Sequence, residues 1–279
     1  MQTVLSFAGT LVRSLINTRK RVPEPAALAA ARPVVRSGTL TPSSGHLERF
    51  CKAVQWKEKS IPPTYPYALA TALQFDIVND SEFPFSPYGI LHKSEKIEVL
   101  RPLTLPQTSK GWVLNCRIDR YTEVKRGYEF ELKSELLIDG ILSWKSTTTA
   151  FKRMKAPEPS ERKKVEAVDA SSGRPWSFHS GLGRVYGVLS KNLDPIHVSG
   201  ITAKLLGHPA AIIHGMYTLA RGLSEVPNLA APITIETRFY SPVFLPAKLC
   251  FVPDTNSQGF KVVSRSGAKT HIQVEISSA

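Results

Sequence analysis

The chain has 279 residues, 42% of them hydrophobic and 21% charged, which suits one large or two medium-sized globular units with ample apolar material for a core. Its 36 Lys and Arg outweigh 23 Asp and Glu for a formal charge of +13, a field that favours an anionic partner; the basic residues are scattered and form no nucleic-acid motif, so a phosphate-bearing small molecule or an anionic surface is expected rather than nucleic acid. Three widely spaced cysteines, Cys51, Cys116 and Cys250, exclude a disulfide framework and a CxxC metal pair, and they fit a reducing compartment.

No run reaches the roughly 20 apolar residues of a membrane span. The segment from Met1 to Pro23 carries Arg13, Arg19, Lys20 and Arg21, with no acidic residue before Glu24. Leu5, Ala8, Val12 and Leu15 or Ile16 share one helical face. Basic, amphipathic and acid-free is the profile of a mitochondrial presequence, which places the mature protein in the mitochondrion. The alternative is a helix that packs on the protein or lies on a membrane surface, with a cytoplasmic location. Residues 23–45, rich in Pro, Ala, Ser and Gly, read as a loop, so 1–45 forms an N-terminal segment outside the folded halves.

Leu47 to Trp56 reads as a short helix. The prolines of Ile61-Pro62-Pro63-Thr64-Tyr65-Pro66 stop the chain and open a helix, and Leu69, Ala72, Leu73 and Ile77 continue it. Apolar on several sides, this helix belongs in the interior. Phe83 to Gly89 is turn-rich. Beyond it Ile97-Glu98-Val99, Val113 to Ile118 and Phe130-Glu131-Leu132 alternate as half-buried strands, and Asp139-Gly140 marks a hairpin between Leu136-Leu137-Ile138 and the stretch from Ile141 to Phe151. Residues 46–152 therefore make an N-terminal half, 153–172 a charged, proline-containing linker, and 173–279 a C-terminal half. In the latter, Ile212, Met216, Leu219 and Leu223 mark a helix, and strands follow from Ile233. Ile97-Glu98-Val99 running to Pro102-Leu103-Thr104-Leu105-Pro106 is echoed by Ile235-Glu236-Thr237 running to Pro242-Val243-Phe244-Leu245-Pro246, a faint internal duplication.

The chemistry-bearing residues cluster in Ser190-Lys191-Asn192-Leu193-Asp194-Pro195-Ile196-His197 and Ile213-His214-Gly215-Met216. A polar loop folded around a proline here delivers side chains to the start of an apolar helix. Elsewhere His92, His179 and His208 stand alone without ligand spacing, so no metal site is expected. A Gly-x-Ser-x-Gly elbow is absent, and Gly181-Leu182-Gly183 lacks the third glycine of a nucleotide fingerprint.

At Asn192-Leu193-Asp194-Pro195-Ile196-His197 and His214-Gly215-Met216 the chain resembles the MaoC-like (R)-specific enoyl-CoA hydratases, whose motif reads Ser-Gly-Asp-x-Asn-Pro-Ile/Leu-His and then Ile-x-His-Gly-Met. The likeness runs from Tyr186 to Leu223, with Ala203-Lys204 and Gly207; Phe83-Pro84-Phe85 and Gly89-Ile90-Leu91-His92 match more loosely the motif-free half of two-domain members. The resemblance implies an α+β double hotdog, each half a curved antiparallel sheet wrapped around a central helix. It implies reversible addition of water to a trans-2-enoyl-CoA in fatty acid metabolism, with His197 as the acid–base histidine and a backbone N–H at Gly215 holding the thioester oxygen. His214 takes either a structural or a substrate-binding role. The substrate is a thioester of coenzyme A or acyl carrier protein, no further cofactor is implied, and a homodimer is compatible with the fold.

This sequence departs from the motif at one place. Counted back from His197, the family's catalytic Asp falls on Asn192, its Asn on Asp194, and its Gly on Lys191. An amide does not take up a proton at neutral pH. Asp194 stands in for the carboxylate, or His197 works alone with Asn192 orienting the water, or the site binds acyl thioesters without hydrating them. A hotdog thioesterase is the least favoured activity. Sequencing the mature N-terminus checks the presequence reading: removal of about the first 22 residues is the expected result.

Overall fold

The alternating stretches of both halves become strands, and the two buried apolar runs become the helices they wrap. The computed structural model describes Leu28 and residues 33–154 and 167–278; the expected presequence and most of the expected linker lie outside these residues. In chain order the N-terminal half comprises β1 (Val34–Leu40), α1 (Ser44–Val54), α2 (Tyr65–Val78), β2 (Ile90–Val99), β3 (Trp112–Val124), β4 (Gly127–Ile138) and β5 (Ile141–Arg153). The C-terminal half comprises β6 (Arg174–Phe178), α3 (Leu182–Ser190), α4 (Pro195–Val198), α5 (Gly200–Leu205), α6 (Gly215–Leu223), β7 (Ile233–Phe239), β8 (Ala247–Pro253), β9 (Phe260–Ser264) and β10 (Thr270–Ser278).

The ten strands of the described residues join one antiparallel sheet in the order β1-β3-β4-β5-β2-β7-β10-β9-β8-β6. From either outer edge inward, each half gives its first, third, fourth, fifth and second strand. The halves therefore share a topology and meet along β2 and β7. At this seam Ile97 pairs with Ile235, both fully buried, so the two copies of the faint sequence repeat lie face to face. The architecture is the expected α+β hotdog arrangement, with α2 and α6 as the wrapped helices.

Helix α2 begins after Pro62 and Pro63 with Pro66 in its first turn, where a missing N–H costs little. Tyr65, Ala68, Ala70, Gln74 and Ile77 are buried on several of its sides. Gln74 meets its burial by donating to Ser134 Oγ (3.2 Å), and Trp144, on β5, donates its indole N–H to the Pro63 carbonyl (2.8 Å) and so anchors the helix entry to the sheet. The Asp139-Gly140 turn forms as expected, both residues at positive φ (51° and 88°).

Two expectations need correction. Residues 23–45 are not all loop, because Val34–Leu40 is an edge strand paired with β3. The helix expected from Ile212 to Leu223 starts later, because Ile212 lies before α6 rather than within it.

Helix α6 lies close on the sheet. A Cβ at Gly222 would fall 2.2 Å from the Phe260 ring, whereas one at Gly45 of α1 would meet nothing within 4 Å. Gly222→Ala should therefore destabilise the protein by about 1–3 kcal/mol. Gly45→Ala should be neutral or stabilising by up to about 1 kcal/mol. Denaturant unfolding of both variants checks the pair.

Candidate active site

The expected site residues converge on one corner of the C-terminal half, packed against two glycines of α3. A Cβ at Gly187 would sit 2.6 Å from the Asn192 carbonyl, and one at Gly183 would sit 2.3 Å from the His197 carbonyl. These glycines, one helical turn apart, let the motif loop fold flat against the helix. That spacing was visible in the sequence as Gly183-x-x-x-Gly187, but the motif reading did not use it. Lys191 ends α3 at φ 54°, the left-handed region that glycine enters most easily. A lysine thus occupies a turn position that favours glycine.

The loop then holds itself. Asn192 Oδ1 accepts from the Asp194 N–H (3.3 Å), and Asp194 Oδ1 accepts from the Ile196 N–H (3.2 Å), capping α4, where Pro195 occupies the first turn. The Asp194 carbonyl accepts from the His197 N–H (2.8 Å). The exchanged Asn and Asp thus both carry turn-forming hydrogen bonds.

His197 and His214 stack with ring centroids 3.7 Å apart, and each is oriented by a carbonyl. His197 donates from Nδ1 to the Ile212 carbonyl (2.7 Å), and His214 donates from Nε2 to the Asn192 carbonyl (3.0 Å). A carbonyl only accepts, so His197 carries its proton on Nδ1 and leaves Nε2 as the basic nitrogen. His214 has the opposite tautomer, and its Nδ1 is buried without a partner among the described residues. Burial lowers the His197 pKa below its ordinary 6.5; the Ile212 carbonyl and Asp194 pull it partly back, while His208 opposes them. Burial, followed by the neighbouring His197, holds His214 well below that value. Both rings are neutral near pH 7. Tyr186 lies 5.1 Å from His214 by ring centroids, its hydroxyl buried without a partner among the described residues.

Gly215 is the first residue of α6, directly after His214. Its N–H has no partner among the described residues, as expected at a helix start, where the unpaired donors and the dipole favour a developing negative charge. A Cβ there would stand 2.8 Å from the Phe239 ring, so the glycine is needed for close packing as well as for access to the backbone. Met216 is buried and belongs to the core. Asn192, His197, His214 and Gly215 are thus brought together, with Asp194 close enough to act electrostatically on His197.

Among the described residues no group of three or more His, Cys, Asp or Glu could hold a metal ion. A groove of about 810 Å³, lined by Arg49, Trp176, Val185 and Val188 among others, lies on the other side of α3 and contains none of the site residues.

Residues 166–274 match the model of the MaoC like domain. The chain is 26% identical over 215 residues to 3-hydroxyacyl-thioester dehydratase X of Mycobacterium tuberculosis, covering 75% of each. The crystal structure of HtdX from the same organism superimposes with a TM-score of 0.75 at 21% identity, over 88% of this chain and 100% of that one. A MaoC-like dehydratase from Phytophthora capsici gives 0.64 at 18% identity, over 92% and 100%. Both structural likenesses establish a shared fold.

The neutral histidines make stability depend on pH. Unfolded, each would bind a proton through about pH 6.5; folded, each resists it. Their contribution is therefore complete above that value and is lost as pH falls through it, by up to about 1.4 kcal/mol per pH unit for each ring. His46 and His271, also lowered mainly by burial, act in the same direction. The melting temperature should drop between pH 8 and pH 5, and His214→Gln should flatten that drop.

Proposed function

We propose that the protein adds water reversibly to a trans-2-enoyl thioester, giving the (R)-3-hydroxyacyl thioester, with coenzyme A or acyl carrier protein as the thiol component. The observation that carries this reading is the orientation of His197: neutral, fixed by the Ile212 carbonyl, and presenting a basic Nε2. In the hydration direction Nε2 takes a proton from water as its oxygen bonds to C3. The C2–C3 π pair moves toward the carbonyl, and the negative charge gathers on the thioester oxygen, held by the Gly215 N–H. The imidazolium then returns the proton to C2, the enolate collapses, and His197 is neutral again. Dehydration reverses each step.

Asp194 favours the imidazolium through its charge, while its Oδ1 caps α4. His214 acts as a positioning residue by holding the Asn192 carbonyl. The surplus of Lys and Arg suits the phosphates of coenzyme A. The N-terminal half offers the surface against which the acyl chain lies.

One observation favours the second reading, a site that binds acyl thioesters without turnover: the side-chain oxygens of Asn192 and Asp194 are engaged in the loop's own turns. Crotonyl-CoA hydration by wild type, His197→Ala, Asp194→Ala and Asn192→Asp separates the two. Hydration by the wild type, with a loss of about 10²–10⁴-fold in His197→Ala, is the expected result. Asp194→Ala should lose activity and also about 1 kcal/mol of stability through its cap, so its melting temperature is measured alongside. An inactive wild type beside an active Asn192→Asp sinks the hydratase reading and leaves the binding one.

A further inference from the structure

The seam between the halves carries an acid that the shared fold does not require. Glu95 lies on β2 and is 1% exposed. Its Oε2 accepts from Thr148 Oγ1 (2.6 Å) and from His92 Nε2 (3.0 Å), but Oε1 is buried with no partner among the described residues. Its register partner across the seam, Thr237, also buries a hydroxyl with no partner among the described residues. The twofold relation that places Ile97 on Ile235 places Glu95 on Ile233, so the corresponding site in the other half is filled by an apolar side chain. Unpaired buried polar atoms weaken a fold, and two neighbouring ones suggest a third party.

The strand is also bent to build this arrangement. Side chains three apart on a regular strand point to opposite faces, yet a bulge between His92 and Ser94 brings His92 to the side of Glu95. With Nε2–H given to the carboxyl group, His92 offers Nδ1 as an acceptor, and 26% of its side chain remains exposed. The imidazole lies between Tyr67, with centroids 6.2 Å apart, and Phe239, at 4.4 Å. Phe239 is the ring that packs on Gly215. The His92–Glu95 pair therefore borders the same aromatic wall as the thioester donor, and its free positions are mainly acceptors.

We infer that Glu95, His92 and Thr237 form a polar subsite of the thioester pocket that takes a hydrogen-bond-donating group of the ligand, either a hydroxyl on the acyl chain or an amide N–H of the pantetheine arm. This rests on the acyl-thioester reading above. A ligand without such a donor leaves Glu95 Oε1 unpaired, and sites built to pair a polar group discriminate strongly against analogues that lack it.

Calorimetric binding of two saturated thioesters, hexanoyl-CoA and 5-hydroxyhexanoyl-CoA, tests the subsite without requiring turnover. If the donor is on the acyl chain, the wild type binds the hydroxylated ligand roughly tenfold or more tightly, and the ratio falls toward one in Glu95→Leu. If the donor is in the pantetheine arm, the wild type binds both alike and Glu95→Leu weakens both, again by roughly tenfold. Should Glu95→Leu not fold, Glu95→Gln and Thr237→Val are read in the same way. Variants that bind both ligands as the wild type does overturn the subsite while leaving the thioester reading intact. A wild type that binds neither ligand overturns both.

Discussion

The pairing of β2 with β7 is the constraint on which the molecule depends. Without it each half would be a five-stranded sheet with an unpaired inner edge, displaying Ile97 or Ile235 and a row of open backbone groups. Once paired, the two sheets become one continuous surface that α2 and α6 cover together. The same pairing decides what surrounds the site. It sets Phe239, at the end of β7, between Gly215 of α6 and His92 of β2, so a residue of the motif-free half borders the motif-bearing one.

Within the site, the electrostatics follow from desolvation more than from charge. The histidines are stacked, buried and tied to carbonyls through opposite nitrogens, and among the described residues no ion pair involves them. Protonating either ring would put a cation against the other, so each helps to keep its neighbour neutral. An imidazole held in one tautomer is a ready base without a carboxylate directly behind it. The exchange of Asp and Asn in the loop accordingly changes the help that His197 receives, while the orientation of its ring rests on the Ile212 carbonyl.

Much of this was legible in the sequence wherever the signal was local. The proline pair and the apolar run gave α2, Asp139-Gly140 gave its hairpin, and the spacing from Asn192 to Gly215 located the loop and helix start. The misses have non-local causes. Val34–Leu40 is short and contains Gly38, and it is a strand because β3 offers it partners. Helix α3 contains Gly183 and Gly187, poor helix formers whose value lies in the loop packed against them. His92 looked solitary because a bulge, invisible in residue spacing, turns it toward Glu95.

The outermost strand β6 has a bearing on how wide this sheet can grow. It is only five residues long, pairs with β8 on one side, and has Pro175 within it, with Arg174 and Pro175 exposed. Proline contributes no N–H to this border strand, and the neighbouring Arg174 keeps a half-exposed guanidinium, paired with Glu225 and lying over the Phe251 ring. An incoming strand from any other chain would have to pack beside the proline and desolvate a charge. At that end, two adjacent side chains protect the sheet against templated edge-to-edge aggregation.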